Sequence, residues 1–177
     1  MTKYNSYEGD YLISSYKIKT IQEALNVAAA SLANIGENFE QEGLFAITMG
    51  EDFEVKTVRL LALGNYNSIN ISSNEICKQA IRDNAKNVLI LHNHPRSNSY
   101  LLQPSDADIR VTDRLLQACS LLDISLIDHI IVSSTYQKDK RFFSMRQNRV
   151  LDFDFYNKIE NLKFEKVASS LSYKWGR

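Results

Sequence analysis

The chain has 177 residues, of which 44% are hydrophobic, and this suits one domain with a sizeable core and short appendages. Its 21 basic and 21 acidic residues leave no net charge, so the composition gives nucleic-acid binding no electrostatic support, although a local basic patch is not excluded. No run of about 18 apolar residues occurs and the N-terminus has no apolar signal-peptide core, which predicts a cytoplasmic protein that does not enter a membrane.

The N-terminal half predicts one helix and then a β-hairpin. Apolar residues recur at helical spacing over residues 20–32, and Thr20 is a suitable N-cap. The hairpin turns at residues 50–52. Its two strands are predicted at residues 44–49 and 53–63. A third strand is expected around residues 68–71.

Helices and short apolar strands alternate in the second half. Ser73 is predicted to cap one helix, and a longer helix is predicted over residues 105–122. The apolar runs at residues 87–91 and 125–132 predict buried strands, and residues 142–145 could pair at the edge of the sheet. This order of elements indicates a mixed α/β layer fold.

The chain changes character beyond residue 146, where Asn, Lys, Asp and aromatic residues become frequent. An amphipathic helix is predicted over residues 154–171. We therefore expect one domain over residues 36–146, a helical extension before it at residues 1–35 and a further extension, with the predicted helix, at residues 147–177.

The two cysteines, Cys77 and Cys119, lie far apart in stretches with helical patterns. They are too few and too isolated for a disulfide framework or a cysteine-rich zinc site. We expect both to be buried packing residues.

Two of the three histidines stand two residues apart at the end of an apolar run. His92 and His94 follow residues 88–91, which predict a buried strand. Residues i and i+2 of a strand point to the same face, so both imidazoles can aim at one point. Asp108 would complete a set of two nitrogens and one oxygen around zinc and leave a fourth position for water. That open position distinguishes a catalytic zinc site from a structural one.

Each candidate residue also has a purely structural interpretation. Ser105 and Asp108 match a capping box on the helix that follows. Glu42 alone would be a solvated loop acid, and the histidine pair alone would be core or surface residues. His129 lies in the apolar run 127–131, where we expect it to hydrogen-bond near the site rather than to bind the metal.

Four stretches, in this order and in these surroundings, resemble the RadC-like JAB domain, a bacterial branch of the JAB/MPN (JAMM) metalloprotease superfamily. They are Gln41-Glu42, His92-Asn93-His94-Pro95, Pro104-Ser105-Asp106-Ala107-Asp108-Ile109 and Leu126-Ile127-Asp128-His129-Ile130-Ile131. The resemblance covers about residues 41–134. It implies an α/β fold of the JAB/MPN (cytidine-deaminase-like) type, with a mixed β-sheet flanked by helices in a single domain.

The resemblance also implies a site and an activity. In it, His92, His94 and Asp108 bind zinc (Zn2+). Glu42 is the general acid/base that holds the attacking water, and Ser105 helps to hold the oxyanion. The first hypothesis is therefore a zinc-dependent hydrolase of amide or isopeptide bonds, a JAMM-type metallopeptidase with a peptide or protein substrate. The alternative is a non-catalytic JAB module that serves DNA repair, DNA maintenance or a mobile element.

The chain departs from the family pattern in three places. The helix-hairpin-helix DNA-binding segment of longer members is not visible, and the last 30 or so residues have no counterpart that we can name. The ten residues between His94 and Ser105 form a longer loop than is usual in the family. Because Ser105 and Asp108 keep their spacing, we interpret the difference as a longer loop rather than a lost ligand. Tyr100 and Leu101 in this loop either pack down as a cover or form one wall of a substrate groove.

Overall fold

A computed structural model describes residues 16–33, 41–64, 73–94, 102–133 and 141–156. Within these residues the helices and strands follow in a simple order. They are α1 (Ile21–Ala33), β1 (Glu42–Met49), β2 (Val55–Gly64), α2 (Ser73–Arg82), β3 (Asn87–His94), α3 (Asp106–Leu121), β4 (Ser125–Ser133), β5 (Phe142–Ser144) and α4 (Phe153–Tyr156).

Five strands form one mixed sheet in the order β2-β1-β3-β4-β5. The predicted hairpin pairs β1 with β2, β3 lies antiparallel on the other side of β1, and β5 pairs antiparallel with β4 at the edge. Strands β3 and β4 are parallel, so the chain must cross over between them, and α3 makes that crossover. The topology therefore brings the start of α3 back toward the end of β3, where the two histidines stand.

Helices cover both faces of the central strands. Along β1, neighbouring residues alternate between two apolar clusters. Phe45 lies in one cluster with Leu25 of α1, whereas Leu44 lies in the other with Ile76 of α2 and Leu115 of α3. The sheet is thus the middle layer of an α/β domain, as the sequence predicts. Among the described residues, no helix has the length and apolar character needed to cross a membrane.

The predicted elements are present, with small shifts at their ends. Strand β1 already begins at Glu42, and β3 continues to His94. Strand β1 is buried from Gly43 to Met49, because helices cover both faces of the sheet. Thr20 does cap α1, since its Oγ1 accepts a hydrogen bond from the backbone N–H of Glu23 at 3.2 Å.

Some predictions fall outside the described residues. These are the strand around residues 68–71, the loop over residues 95–101 and the predicted C-terminal helix beyond residue 156. The limits of the domain at residues 36 and 146 stay a prediction. Helix α1, which we assigned to the N-terminal extension, packs directly on the sheet.

The packing of α2 beside α3 brings the two cysteines together. Cys119 is buried, as expected, but Cys77 is only partly buried, and both are free thiols. A hydrogen bond between them lowers the pKa of Cys77 to about 7. The same bond, with burial, raises the pKa of Cys119. The two residues are therefore not isolated, because helix packing overrides their separation in the sequence.

Candidate metal centre

Three elements bring four side chains that could hold a metal ion to one end of β3. Strand β3 carries His92 and His94 at its C-terminal end, β1 begins with Glu42, and the first turn of α3 carries Asp108. Each side chain offers one ligand atom, and these four atoms all lie within 4.8 Å of one another. The residues that the sequence singled out as metal ligands and as acid/base thus share one cluster.

The distances within the cluster suit a small tetrahedral ion. His92 Nε2 lies 3.5 Å from Asp108 Oδ1, and His94 Nε2 lies 3.5 Å from Asp108 Oδ2. His92 Nε2 lies 3.8 Å from Glu42 Oε1. Atoms bound at about 2.0–2.2 Å from a tetrahedral zinc ion are separated by about 3.3–3.6 Å. Each histidine nitrogen thus lies at that separation from one oxygen of Asp108, and Glu42 Oε1 stands slightly farther from His92 Nε2.

One buried atom points to a cation at this place. His92 is fully buried, and its Nε2 has no hydrogen-bond partner among the described residues. That nitrogen faces oxygens of Asp108 and Glu42 instead. An unpartnered buried polar atom is costly, and a metal ion between the nitrogen and the carboxylates would satisfy all three. The donor set of two imidazoles and two carboxylates suits zinc.

Burial differs across the cluster and gives it one open side. The side chain of His92 is fully buried, whereas that of His94 is 24% exposed. The Glu42 side chain is 15% exposed. A metal held here would therefore be anchored in the core through His92 and reachable from solvent beside His94.

The protonation states favour metal binding at neutral pH. Burial is the main cause that holds the pKa of His92 well below its ordinary value, and the neighbouring His129 adds to the effect. Burial also lowers the pKa of His129 to about 4. Both rings are therefore neutral at pH 7, and neutral imidazole is the form that binds metals.

The two carboxylates of the cluster differ in acidity. Burial would raise the pKa of Asp108, but hydrogen bonds from His94 and Ser105, together with the nearby His92, lower it below the ordinary range. Burial raises the pKa of Glu42, and His94 only partly opposes the shift. Asp108 is thus held as a charged carboxylate, whereas Glu42 takes up a proton more readily than an ordinary glutamate.

Ser105 forms the predicted capping box with Asp108. Its Oγ accepts from the backbone N–H of Asp108 at 3.2 Å, and Asp108 Oδ2 accepts from the backbone N–H of Ser105 at 2.7 Å. The Ser105 hydroxyl also donates its one proton to Asp108 Oδ2 at 2.7 Å. The cap therefore orients the carboxylate of Asp108, and the hydroxyl proton is engaged in this state.

His129 lies behind His92, on the side away from the carboxylates. His129 Nε2 is 2.8 Å from His92 Nδ1, and His129 Nδ1 is 2.6 Å from Thr112 Oγ1. The Thr112 hydroxyl in turn lies 2.6 Å from the backbone oxygen of Asp108. Both ring nitrogens of His129 are engaged in this way.

Sequence reasoning missed two residues around the cluster. Thr112 stands four positions after Asp108, so helical spacing puts both on one face of α3, and this signal was available. Asn93, between the histidines, points away from them. Its Oδ1 accepts from the N–H of Gly43 at 2.8 Å, and its Nδ2 donates to the carbonyl of Gln41 at 3.0 Å. Asn93 thus hydrogen-bonds the two peptide groups on either side of Glu42.

Asp128, whose role the sequence left open, belongs to a different network. Its buried carboxylate accepts hydrogen bonds from Ser144 and from the backbone N–H of Arg146. These contacts fasten the segment that contains β5 to β4. Burial raises the pKa of Asp128 to about 6.

Comparison with known proteins decides the family. A family model described as "RadC-like JAB domain" matches residues 18–150, which include every residue of the cluster. The chain belongs to the RadC-like JAB domain family. The match begins at residue 18, so it takes in α1 as well as the sheet.

Relatives of this RadC-like chain include several proteins named UPF0758 protein. One from Chlorobium chlorochromatii is 32% identical over 111 residues, which are 63% of this chain and 46% of that protein. One from Pelodictyon phaeoclathratiforme is 31% identical over 133 residues, 75% of this chain and 56% of the relative. One from Chloroflexus aurantiacus is 31% identical over 134 residues, 76% of this chain and 54% of the relative. The chain spans about half the length of these relatives.

Proposed function

We propose that this RadC-like protein is a zinc-dependent hydrolase of amide or isopeptide bonds that acts on a peptide or protein. The observation that carries the proposal is the buried, unpartnered Nε2 of His92, which faces the carboxylates of Asp108 and Glu42 beside His94. Family membership supports it, because the JAB superfamily includes metalloproteases.

The proposed ligands are His92, His94 and Asp108. When bound, zinc would lower the pKa of a water molecule toward about 7 and polarise the scissile carbonyl. Glu42 would accept the proton of that water and return it to the leaving amine. Its raised pKa suits this exchange, because a general acid/base works best when its pKa approaches the working pH.

Ser105 is the proposed donor to the oxyanion. It lies exposed at the N-cap of α3, where backbone N–H groups also converge. In this structure its hydroxyl donates a hydrogen bond to Asp108 Oδ2. The role therefore requires the hydroxyl to turn from that oxygen toward the substrate during the reaction.

A specific observation also favours the alternative, a non-catalytic JAB module. Glu42 Oε1 is 3.8 Å from His92 Nε2, close enough to become a fourth ligand after a small shift. Four protein ligands would close the site and leave no position for water. A role in DNA maintenance would then come from partners, because the net charge of zero gives nucleic-acid binding no support.

The variant Glu42→Gln separates the two functions, since glutamine keeps the shape and removes the charge. The hydrolase proposal expects one zinc per chain with nearly unchanged affinity, and loss of hydrolysis of a mixture of quenched fluorogenic peptides. Loss of zinc by the variant would favour the closed site. Glu75→Gln is the matched control, because Glu75 is an exposed acid on α2 that pairs with Lys78. The control should keep both zinc and activity.

A further inference from the structure

We propose that Thr112 is a positioning residue that, acting through His129, fixes the tautomer of His92 so that the lone pair of Nε2 faces the metal. This inference rests on the metal site of the proposed function, but not on its hydrolytic activity. Thr112, His129 and His92 are joined by a buried series of hydrogen bonds.

This series of hydrogen bonds ends at the backbone carbonyl oxygen of Asp108, which can only accept a hydrogen bond. Thr112 Oγ1 lies 2.6 Å from the backbone carbonyl oxygen of Asp108, and a carbonyl has no proton to give. Two oxygens 2.6 Å apart repel each other unless a proton lies between them, so the single hydroxyl proton points to the carbonyl. The sulfur of Met145, 3.6 Å from Thr112 Oγ1, is also an acceptor, so it has no proton to give to the Thr112 oxygen. The oxygen of Thr112 is therefore an acceptor toward every other neighbour.

The direction of the Thr112 hydroxyl determines which ring nitrogen carries the proton in His129 and in His92. Thr112 Oγ1 is 2.6 Å from His129 Nδ1, so His129 must carry its proton on Nδ1 and donate it. A neutral His129 then has a lone pair on Nε2, which lies 2.8 Å from His92 Nδ1. His92 must donate there and carry its proton on Nδ1. Its Nε2 is left with a lone pair, as metal binding requires.

Burial strengthens the control that these hydrogen bonds have over the two tautomers. Thr112, His129 and His92 are each fully shielded from solvent, and Asp108 is 5% exposed. Water therefore offers no easy replacement for a broken bond, and a wrong tautomer would leave buried groups unsatisfied. Asp108 takes part at both ends of this series. Its backbone oxygen accepts from Thr112, and its carboxylate oxygen lies 3.5 Å from His92 Nε2. The position of Asp108 is therefore linked to the tautomer of His92.

The tautomers can be measured directly in metal-free protein by 15N NMR of the imidazole rings at pH 7. The proposal expects the proton on Nδ1 in both His92 and His129. In Thr112→Val the acceptor for His129 is lost. The His129 proton should then move to Nε2, which forces the His92 proton to Nε2 and blocks the metal position. Zinc affinity should fall by about 10- to 100-fold, the usual effect of losing such a partner.

Two further variants keep the test sharp. Thr112→Ser retains the hydroxyl and should restore the Nδ1–H tautomers and most of the zinc affinity. Thr48→Val removes another fully buried threonine hydroxyl, one that bonds Thr57 and Asp83 in a separate network, and should change neither measurement. If Thr112→Ser fails to rescue, or if Thr48→Val lowers zinc affinity equally, the effect is general destabilisation and the proposal is wrong.

The 15N NMR spectrum of metal-free wild-type protein tests the proposed tautomers even if Thr112→Val does not fold. A proton on His92 Nε2 in metal-free wild-type protein overturns the proposal outright. Protons on Nδ1 of both rings support it, whether or not any peptide is hydrolysed. Failure of the hydrolase proposal and failure of this one are therefore distinguishable.

Discussion

The side-chain oxygen of Asn93 accepts a hydrogen bond from the backbone N–H of Gly43 at 2.8 Å. The residue between the two histidines thereby holds the residue next to Glu42. Its amide nitrogen donates to the carbonyl of Gln41 on the other side of Glu42. Beyond the Leu44–His92 pair, where the register of β1 on β3 ends, this side chain continues the connection between the strands. The strand that carries the proposed metal ligands and the proposed acid/base are thus joined through the side-chain amide of Asn93.

The first prediction follows from this bridge. Asn93→Leu removes both hydrogen bonds while keeping similar volume, so the backbone N–H of Gly43 should exchange with solvent deuterium faster. Zinc content should stay near one per chain. The kcat of peptide hydrolysis should fall by about tenfold or more, because small displacements of a catalytic group are costly. Hydrogen exchange by NMR, zinc content and steady-state kinetics measure the three effects.

The control for Asn93→Leu is Asn87→Leu at the opposite end of the same strand. Asn87 is also buried, and its Nδ2 donates to the backbone oxygen of Gly50 at 2.6 Å. Its removal should lower the free energy of unfolding by about 1–3 kcal/mol without changing kcat at saturating zinc. Equal losses of kcat in both variants would show that Asn93 supports only the fold.

The second prediction concerns His92→Ala. The variant should lose zinc, because it removes the imidazole that faces both carboxylates, yet it should retain the fold. The apolar clusters on both faces of the sheet do not depend on a metal. Circular dichroism of wild-type protein with and without chelator provides the comparison. A cooperative loss of helix signal on chelation would mean that the metal is structural, as in a zinc finger.

The third prediction concerns Ser105→Ala. Loss of the cap should lower the free energy of unfolding by about 1 kcal/mol. At saturating zinc, kcat should also fall by about 10²- to 10³-fold if the hydroxyl serves the oxyanion. Thr20→Ala is the matched control, since Thr20 and Glu23 form an equivalent cap on α1. A Ser105→Ala variant that resembles this control in kcat would reduce Ser105 to a cap.

The fourth prediction is the pH dependence of stability in metal-free protein. The folded-state pKa values of His92 and His129 lie below 6.5, so the unfolded chain binds more protons as pH falls below about 6.5. Stability should therefore be constant above that pH and fall toward pH 4. Asp128 acts in the opposite sense, because its folded-state pKa of about 6 makes the native state gain a proton first. Glu42, whose pKa burial also raises, acts in the same sense as Asp128, whereas the lowered pKa of Asp108 acts with the histidines. The two histidines and Asp108 should outweigh the other two carboxyls.

Urea unfolding at pH 7 and pH 5 measures this dependence. Asp128→Asn removes one opposing group, so the loss of stability between the two pH values should become larger in the variant than in wild-type protein. A wild-type protein that is more stable at pH 5 than at pH 7 would contradict the assignment of neutral buried histidines.

The convergence of His92 and His94 was predictable, because side chains two apart on a strand share a face. The position of Asp108 was predictable too, since the Ser105 capping pattern places it in the first turn of α3. These two features depend on short-range patterns, which the sequence carries directly. The meeting of β3 with Asp108 depends on the crossover between parallel strands β3 and β4, and the family resemblance implied it.

The connections of the site were not predictable in the same way. Thr112 meets His129 only because α3 crosses the sheet beside β4. The side chain of Asn93 hydrogen-bonds the backbone of β1 on the side opposite to the histidines. It can do so because the backbone pairing of β1 with β3 stops at Leu44 and His92. The contact of Cys77 with Cys119 depends on how α2 packs on α3. Each of these contacts is set by tertiary packing between elements far apart in the chain.

The most direct test of the account is a crystal structure of the protein with zinc bound. The account predicts one zinc ion held by His92 Nε2, His94 Nε2 and Asp108 at about 2.0–2.2 Å, with the Glu42 carboxylate outside the coordination sphere and facing the fourth position. Zinc bound by Glu42 as a fourth protein ligand would contradict the catalytic assignment. Zinc bound elsewhere, with Asp108 turned away from both histidines, would contradict the metal centre itself.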